Sequence, residues 1–302
     1  MRKNQAFKAI RDSYEDRMLY AMVSFVLILF TLIVAYPMVY VLSSSFSSGT
    51  ANSTGQVVLW PVDWSIEGYK AVFSHRYIGP AYRNTLFYTV VGTMINLIIT
   101  ITCAYPLSRR DFPLRRFFNG VFLFTMFFSG GLIPTYILMS KIRFVNTIWA
   151  MLIPGALSVY NMILVRTFLI SNIPIELLEA SQIDGCSDAR YFTSVLLPLS
   201  KPVLAVVTLY YAVGHWNTYF NAMIYLNNPK LDPLQLILRQ ILVASQINLN
   251  DMTDIEGMMA KQGLADVLQY ALIVVSTAPI LCLYPFIQRY FIKGVMIGAV
   301  KG

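Results

Sequence analysis

Six apolar runs alternate with polar connections along the chain, at about residues 19–42, 84–105, 117–139, 147–170, 203–226 and 267–287. At ~1.5 Å per helical residue, about twenty residues cross a hydrocarbon core of ~30 Å. The first run exceeds the ~7–15 apolar residues of a secretory signal, so it reads as an uncleaved span. Ser129-Gly130-Gly131 and Pro134 interrupt the third run, and Pro154-Gly155 the fourth. Such breaks mark kinks, close helix packing or a shaped pathway. The pattern predicts an all-α, polytopic membrane protein with six transmembrane helices. Residues 1–18 form one terminal segment, 19–287 the membrane domain and 288–302 a tail. The connections at 43–83, 140–146 and 227–266 fall on one side of the membrane. Trp60 and Trp64 suit an interfacial segment there, and an amphipathic helix is expected from Leu234.

The connection at 171–202 is polar yet patterned as structure. Asn172 and Pro174 signal a helix start. Ile173, Leu177, Ala180 and Ile183 recur at helical spacing as an apolar face, beside Glu176, Glu179 and Gln182. Asp184-Gly185 ends that helix, because glycine takes the left-handed conformation without steric cost. Ser187 caps a second helix running towards Leu197-Pro198, with Phe192, Val195 and Leu196 inward. Periodicity alone leaves open whether this is a plain connecting hairpin.

Composition agrees with the spans. The 302 residues are 57% hydrophobic and only 13% charged, against about a quarter charged in soluble domains. Mean hydropathy is +0.59. The net charge of +8 does not mark a nucleic-acid surface, because the basic residues flank apolar segments instead of clustering with aromatics. Fourteen Lys and Arg lie in the two terminal segments, the 106–116 connection and the 171–202 loop, and eight on the opposite side. Arg166 sits at a span end. The positive-inside rule therefore places both termini and the 171–202 loop in the cytoplasm. Cys103, Cys186 and Cys282 are too scattered for a disulfide framework or a metal site.

The chemistry is that of a passive membrane component. No span interior carries Asp or Glu, which proton- and sodium-driven carriers use to bind the coupling ion. There is no phosphate-cradling G-x-x-x-x-G-K-[ST] loop. The histidines are His75 and His215 alone, without H-E-x-x-H or convergent carboxylates. No catalytic residue, metal or cofactor is expected. The energy must come from another subunit, the alternative being a stand-alone secondary transporter or channel for a small polar solute.

The fifth run is the most polar. Tyr211, His215, Trp216, Asn217, Tyr219 and Asn221 crowd a few turns. They suit a sugar path, since aromatic faces stack on sugar rings while amides and imidazole bond hydroxyls without net charge. An outer aromatic belt or interhelical hydrogen bonding would use the same residues.

The order Glu179-Ala180-Ser181, Asp184-Gly185, Leu197-Pro198 resembles the EAA loop of bacterial ABC-importer permeases, with Ser181 in place of a second alanine. With Trp216-Asn217 and the ending IKGVMIGAVKG, nearly the whole chain is similar to the carbohydrate-uptake permeases. The likeness is to the maltose-permease G type, within a subgroup handling alginate or pectin fragments. It implies the type I ABC-importer permease fold and a multi-pass protein of the bacterial cytoplasmic membrane. Glu176, Glu179, Ala180, Ser181, Asp184, Gly185, Leu197 and Pro198 would then couple the chain to an ATPase. The implied partners are a second permease of related fold, two ATP-binding subunits that use ATP and Mg, an extracytoplasmic solute-binding protein, and an oligosaccharide substrate.

Overall fold

The computed structural model describes residues 13–250 and 263–282. The first twelve residues, residues 251–262 and the tail therefore lie outside the description, together with the basic residues read there and the end of the sixth run. All regular structure among the described residues is helical.

The chain divides into two compact units. One comprises Met1–Lys70 and Asn248–Val274, the other Ala71–Ile247 and Val275–Gly302. In the first, α1 (Tyr14–Ser45) runs for 32 residues. That is about 48 Å of helix, beyond what the core of a bilayer needs. At its end the polar run Ser43-Ser44-Ser45-Phe46-Ser47 turns the chain back. Ser43, Ser44, Ser45 and Ser47 are buried, and the following segment is tied to them. Ser43 Oγ donates to the Leu59 carbonyl at 2.6 Å, and the Val62 amide donates to Ser47 Oγ at 3.0 Å. The hydroxyls of Ser43 and Ser47 serve here because they satisfy backbone groups that apolar side chains would leave bare. Helix α2 (Gly49–Ser53) lies within this turnback. A Cβ on Gly49 would sit 2.8 Å from the carbonyl carbon of Gly263, so the close approach demands glycine.

In the second unit, α3 (Glu67–Ser74, entering from the first unit) leads to α4 (Ile78–Ser108). Pro106 falls inside the last turn of α4 and does not end it; the helix stops two residues later. Then come α5 (Arg115–Phe127), α6 (Leu132–Lys141), α7 (Trp149–Leu152) and α8 (Val159–Asn172). After α9 (Ile175–Ile183) and α10 (Asp188–Leu199) come α11 (Lys201–Trp216), α12 (Phe220–Tyr225) and α13 (Leu234–Asn250). The last described helix, α14 (Gly263–Cys282), belongs to the first unit as far as Val274 and to the second from Val275.

Three helices, α1, α4 and α14, are long and apolar enough to cross a membrane alone. Three bent pairs bring the number up to six among the described residues. The bent pairs are α5–α6, α8–α9 at 73° and α10–α11 at 78°. Separately, the third, fourth and fifth apolar runs are not continuous helices. Between α5 and α6 the chain bends by 112° at Ser129-Gly130-Gly131, where Gly131 has φ +82°. The fourth run breaks at residues 153–158 around Gly155, at φ +75°. The fifth breaks at residues 217–219. Glycine and proline carry no charge, so they interrupt a helix without interrupting its hydropathy.

Helix α4 is the spine of this unit, packed against α8 and α11. Ile101, Ala104, Met162, Val165 and Val207 form the apolar part of the contact. Its buried stripe also includes Thr85, Thr93, Asn96 and Thr100. Lipid tails are as apolar as leucine, so such helices are held by packing and by interhelical hydrogen bonds of ~0.6–2 kcal/mol each. Thr85 Oγ1 accepts from the Leu234 amide at 2.8 Å. Asn84 Nδ2 donates to the carbonyls of Lys230 and Asp232 at 2.7 and 3.1 Å. These bonds fix the start of α13 on the first turns of α4, the end opposite Ser108.

Candidate functional site

The 171–202 loop folds as two helices at the end of α4 and α8. Pro174 is the N-cap of α9, as its restricted φ suits, and Asp184 the C-cap. Gly185 follows at φ +70°, the left-handed turn expected of it. Ser187 Oγ then accepts from the Arg190 amide at 3.3 Å and starts α10. The middle of α10 is a π-turn over Phe192–Leu196, where the Leu197 amide bonds the Phe192 carbonyl. Ser200, its Oγ bonded to the Leu196 carbonyl at 2.7 Å, marks a 78° bend into α11.

The face of α9 differs from the periodic reading. Leu178 is the side chain that enters the core, at 8% exposure, whereas Ile183 is 87% exposed and Leu177 40%. Glu176, Glu179, Ala180 and Ile183 lie on the side of the helix away from Leu178 and are all exposed. Apolar spacing marks a face that gets covered; it does not say by which chain. Ser181 is half-buried, and its hydroxyl bonds the Leu178 carbonyl at 2.7 Å. Of the other loop residues, Asp184, Gly185 and Pro198 are exposed and Leu197 is half-buried.

Behind the loop stands Arg109. Its Nη1 donates to Asp188 Oδ1 at 2.7 Å and to the Tyr105 hydroxyl at 2.9 Å, while Nε donates to Asp111 Oδ1 at 2.9 Å. The guanidinium is 13% exposed against 65–69% for its two carboxylate partners. Asp111 above all, then Tyr105 and Asp188, raise its pKa against the opposing effect of burial. The same pairing holds the Asp111 carboxyl below its usual range. Tyr105, Arg109, Leu169, Pro174, Leu178 and Tyr191 surround a cavity of about 90 Å³ behind α9.

The polar residues of the fifth run fall into two sets. Tyr211 and Trp216 are buried, and His215 is half-buried. The Tyr211 hydroxyl bonds Thr100 Oγ1 at 2.7 Å and accepts from the Ser158 amide at 3.0 Å. His215 Nε2 bonds Asn96 Oδ1 at 2.9 Å, and Asn96 Nδ2 donates to the Gly155 carbonyl at 3.2 Å. Trp216 Nε1 donates to the Ser276 carbonyl at 2.9 Å. These three side chains tie α11 to α4, to the 153–158 break and to α14. Asn217, Tyr219 and Asn221 are exposed at and just after the break. The guanidinium carbon of Arg239 lies 5.1 Å from the centre of the Tyr219 ring.

A broken α-helical bundle, a braced helical loop and a polar helix break are together on one chain. Residues 8–297 match the binding-protein-dependent transport system inner membrane components. The chain belongs to this family.

Among relatives of this permease is a polygalacturonan/rhamnogalacturonan transport system permease protein of Bacillus subtilis. It is 37% identical over 276 residues, which cover 91% of this chain and 96% of the relative. Protein LplC of Bacillus subtilis is 38% identical over 267 residues, 88% of this chain and 89% of its own length. The solved structure of a bacterial ABC transporter involved in the import of the acidic polysaccharide alginate contains a chain that superposes with TM-score 0.82 at 34% identity. It covers 94% of this permease and all of that chain. The family is one of non-catalytic, multi-pass membrane subunits.

Sequence reasoning took Arg109 for an orientation charge and missed its brace. The available signal was Asp111 two residues on, but Asp188 is far away in sequence. Asn96 and Thr100 were missed because polar residues inside an apolar run lower its hydropathy only slightly.

Proposed function

We propose that this permease forms half of the translocation path of an ATP-driven importer for oligosaccharides derived from uronate-containing polysaccharides. Its partners are a second permease of related fold, two ATP-binding subunits that consume ATP with Mg, and an extracytoplasmic solute-binding protein. The membrane is the bacterial cytoplasmic membrane, with residues 1–18, the 171–202 loop and residues 288–302 on the cytoplasmic side. Residues 19–287 form the permease domain, with 43–83, 140–146 and 227–266 outside. The names of the relatives support the substrate class, and the charge asymmetry supports the orientation.

The observation that carries the coupling reading is the outward side of α9. Ile183 stands bare beside Glu176, Glu179 and Ala180, while Leu178 and the Arg109–Asp188 pair hold the loop from behind. The exposed side of α9, with its back fixed to the bundle, is the surface offered to a groove on an ATP-binding subunit. Movement of that subunit carries α9 as a rigid body. Asp184-Gly185 forms the joint, and α10, through Leu197-Pro198 and the bend at Ser200, passes the motion to α11. Asn217, Tyr219 and Asn221 contact the sugar at the break, and Tyr211, His215 and Trp216 hold the helix that presents them.

Purification of the tagged permease with its ATP-binding subunits tests this reading. Ile183→Asp should leave the amount of permease in the membrane unchanged and lower the co-purified ATP-binding subunit about tenfold. Solute transport by this chain alone in vesicles would overturn it.

A further inference from the structure

Beside the loop brace lies a second, unassigned feature. Arg110, Arg115, Arg116 and Arg166 line an open groove of about 770 Å³, whose walls include Phe112 and Leu123. Among the described residues, both ion pairs belong to Arg109, and none of these four guanidiniums meets a carboxylate. Asp111, the acidic side chain next to Arg110 in sequence, is bound to Arg109. Arg166 is half-buried and anchored, its Nε donating to the Leu107 carbonyl at 2.9 Å. Arg115 lies close enough to it for the two charges to repel. The first turn of the 13-residue α5 has neither an acidic residue nor a side-chain cap, so its positive dipole end adds to the same field.

Four cations around one groove repel one another until an anion joins them. Guanidiniums bind phosphate oxygens in bidentate fashion. The apolar surroundings decide what kind of phosphate. Along α5, Arg116, Gly120, Leu123 and Phe127 follow one another at three- and four-residue spacing, which is one face of a helix. A Cβ on Gly120 would meet no atom within 4 Å, and Phe127 is 76% exposed. The cationic groove thus opens onto an apolar strip pointing along the span. A free phosphate would use the first and have no use for the second.

We infer that this groove binds the headgroup phosphate of an anionic phospholipid, with an acyl chain lying along Leu123 and Phe127. Basic pockets beside spans on the cytoplasmic side suit such headgroups, and each Lys or Arg adds measurably to the binding. The inference uses the membrane orientation of residues 106–116 and is independent of which sugar is carried.

The test uses the whole transporter in a neutral detergent, with retained lipid counted by native mass spectrometry. Phosphatidylglycerol should be retained and zwitterionic phosphatidylcholine should not. Arg115→Gln/Arg116→Gln should lower retained phosphatidylglycerol roughly tenfold or more, and Arg115→Lys/Arg116→Lys should keep most of it. Retention unchanged by the glutamine pair overturns the inference. So does displacement of the lipid by inorganic phosphate at equal concentration, which would make this a soluble-phosphate site. Displacement by an oligogalacturonate would place the groove on the sugar route, with the same consequence. Should the glutamine pair fail to assemble, wild-type protein with an acyl-chain photoreactive phosphatidylglycerol decides. Labelling of the 115–127 peptide supports the site, and labelling only elsewhere removes it.

Discussion

Arg109 and Asp188 meet at 2.7 Å across 79 residues of sequence, joining the end of α4 to the first turn of α10. The two ends of the bond are unequal. The arginine is mostly buried and has three partners, whereas the aspartate is mostly exposed and sits in high dielectric. Asp188→Ala should therefore cost only ~0.2–1 kcal/mol. Arg109→Ala, which strips Tyr105 and both carboxylates of their donor, should cost about 1–3 kcal/mol. Thermal unfolding of the purified complex separates the two.

Gly185 lies in the left-handed region with nothing within 4 Å of where a Cβ would stand. The barrier to substitution there is backbone conformation and not space. Gly185→Ala should cost ~1–2 kcal/mol, and Gly185→Asn less, since asparagine tolerates that conformation. The readout is the ratio of sugar taken up to ATP hydrolysed by the reconstituted transporter. It should fall for alanine more than for asparagine.

At Gly92 the argument reverses. A Cβ there would lie 2.5 Å from the imidazole ring of His215, so Gly92→Ala must push the ring off Asn96. A loss of ~1–3 kcal/mol is expected. Because the clash needs the ring, Gly92→Ala/His215→Ala should lose less than the two single changes summed. Strict additivity in denaturant unfolding would show that the glycine serves something else.

The two sets of polar residues in the fifth run should behave differently. Trp216→Ala removes a buried ring and its hydrogen bond and should destabilise by about 3–5 kcal/mol. Asn217→Ala and Asn221→Ala should leave unfolding unchanged within ~0.5 kcal/mol while uptake of the sugar falls. Uptake assays on vesicles with matched permease content distinguish these outcomes.

Asp232 gives a pH test. It is buried, and burial raises its carboxyl pKa, with a bond from Gln240 opposing. The folded state therefore holds this proton more tightly than the unfolded chain does, whose value is near ~3.9. Its contribution favours folding below that value and is lost as pH rises through the raised folded-state pKa. Asp232→Asn should remove this slope and make the protein more stable than wild type at neutral pH. Melting curves from acid to neutral pH would refute this if the two proteins ran parallel.

Much of this was legible in the residues. Pro174, Asp184-Gly185 and Ser187 marked the ends of α9 and the start of α10, because caps and turns depend on local chemistry. The apolar runs marked α1 and α4 for the same kind of reason, length against bilayer thickness. What could not be read was tertiary. Leu178, and not Leu177 or Ile183, faces inward because of where α4 and α8 stand. Ser129-Gly130-Gly131 did mark the break in the third run, but the 112° of the turn depends on how α5 and α6 pack and not on those residues alone. Tyr211 and His215 looked alike to Asn217 by type, and only Thr100 and Asn96 on α4 tell them apart.

The π-turn at Phe192–Leu196 closes its hydrogen bond over five residues where an α-turn closes over four. The stretch therefore holds one residue more than a plain helix would need. Deleting a single residue there would restore the four-residue hydrogen-bond spacing only as far as Pro198, whose ring and missing amide hydrogen keep an α-helix from running on unbroken. The connection between α9 and α11 thus holds its extra residue directly ahead of a proline and of the bend at Ser200.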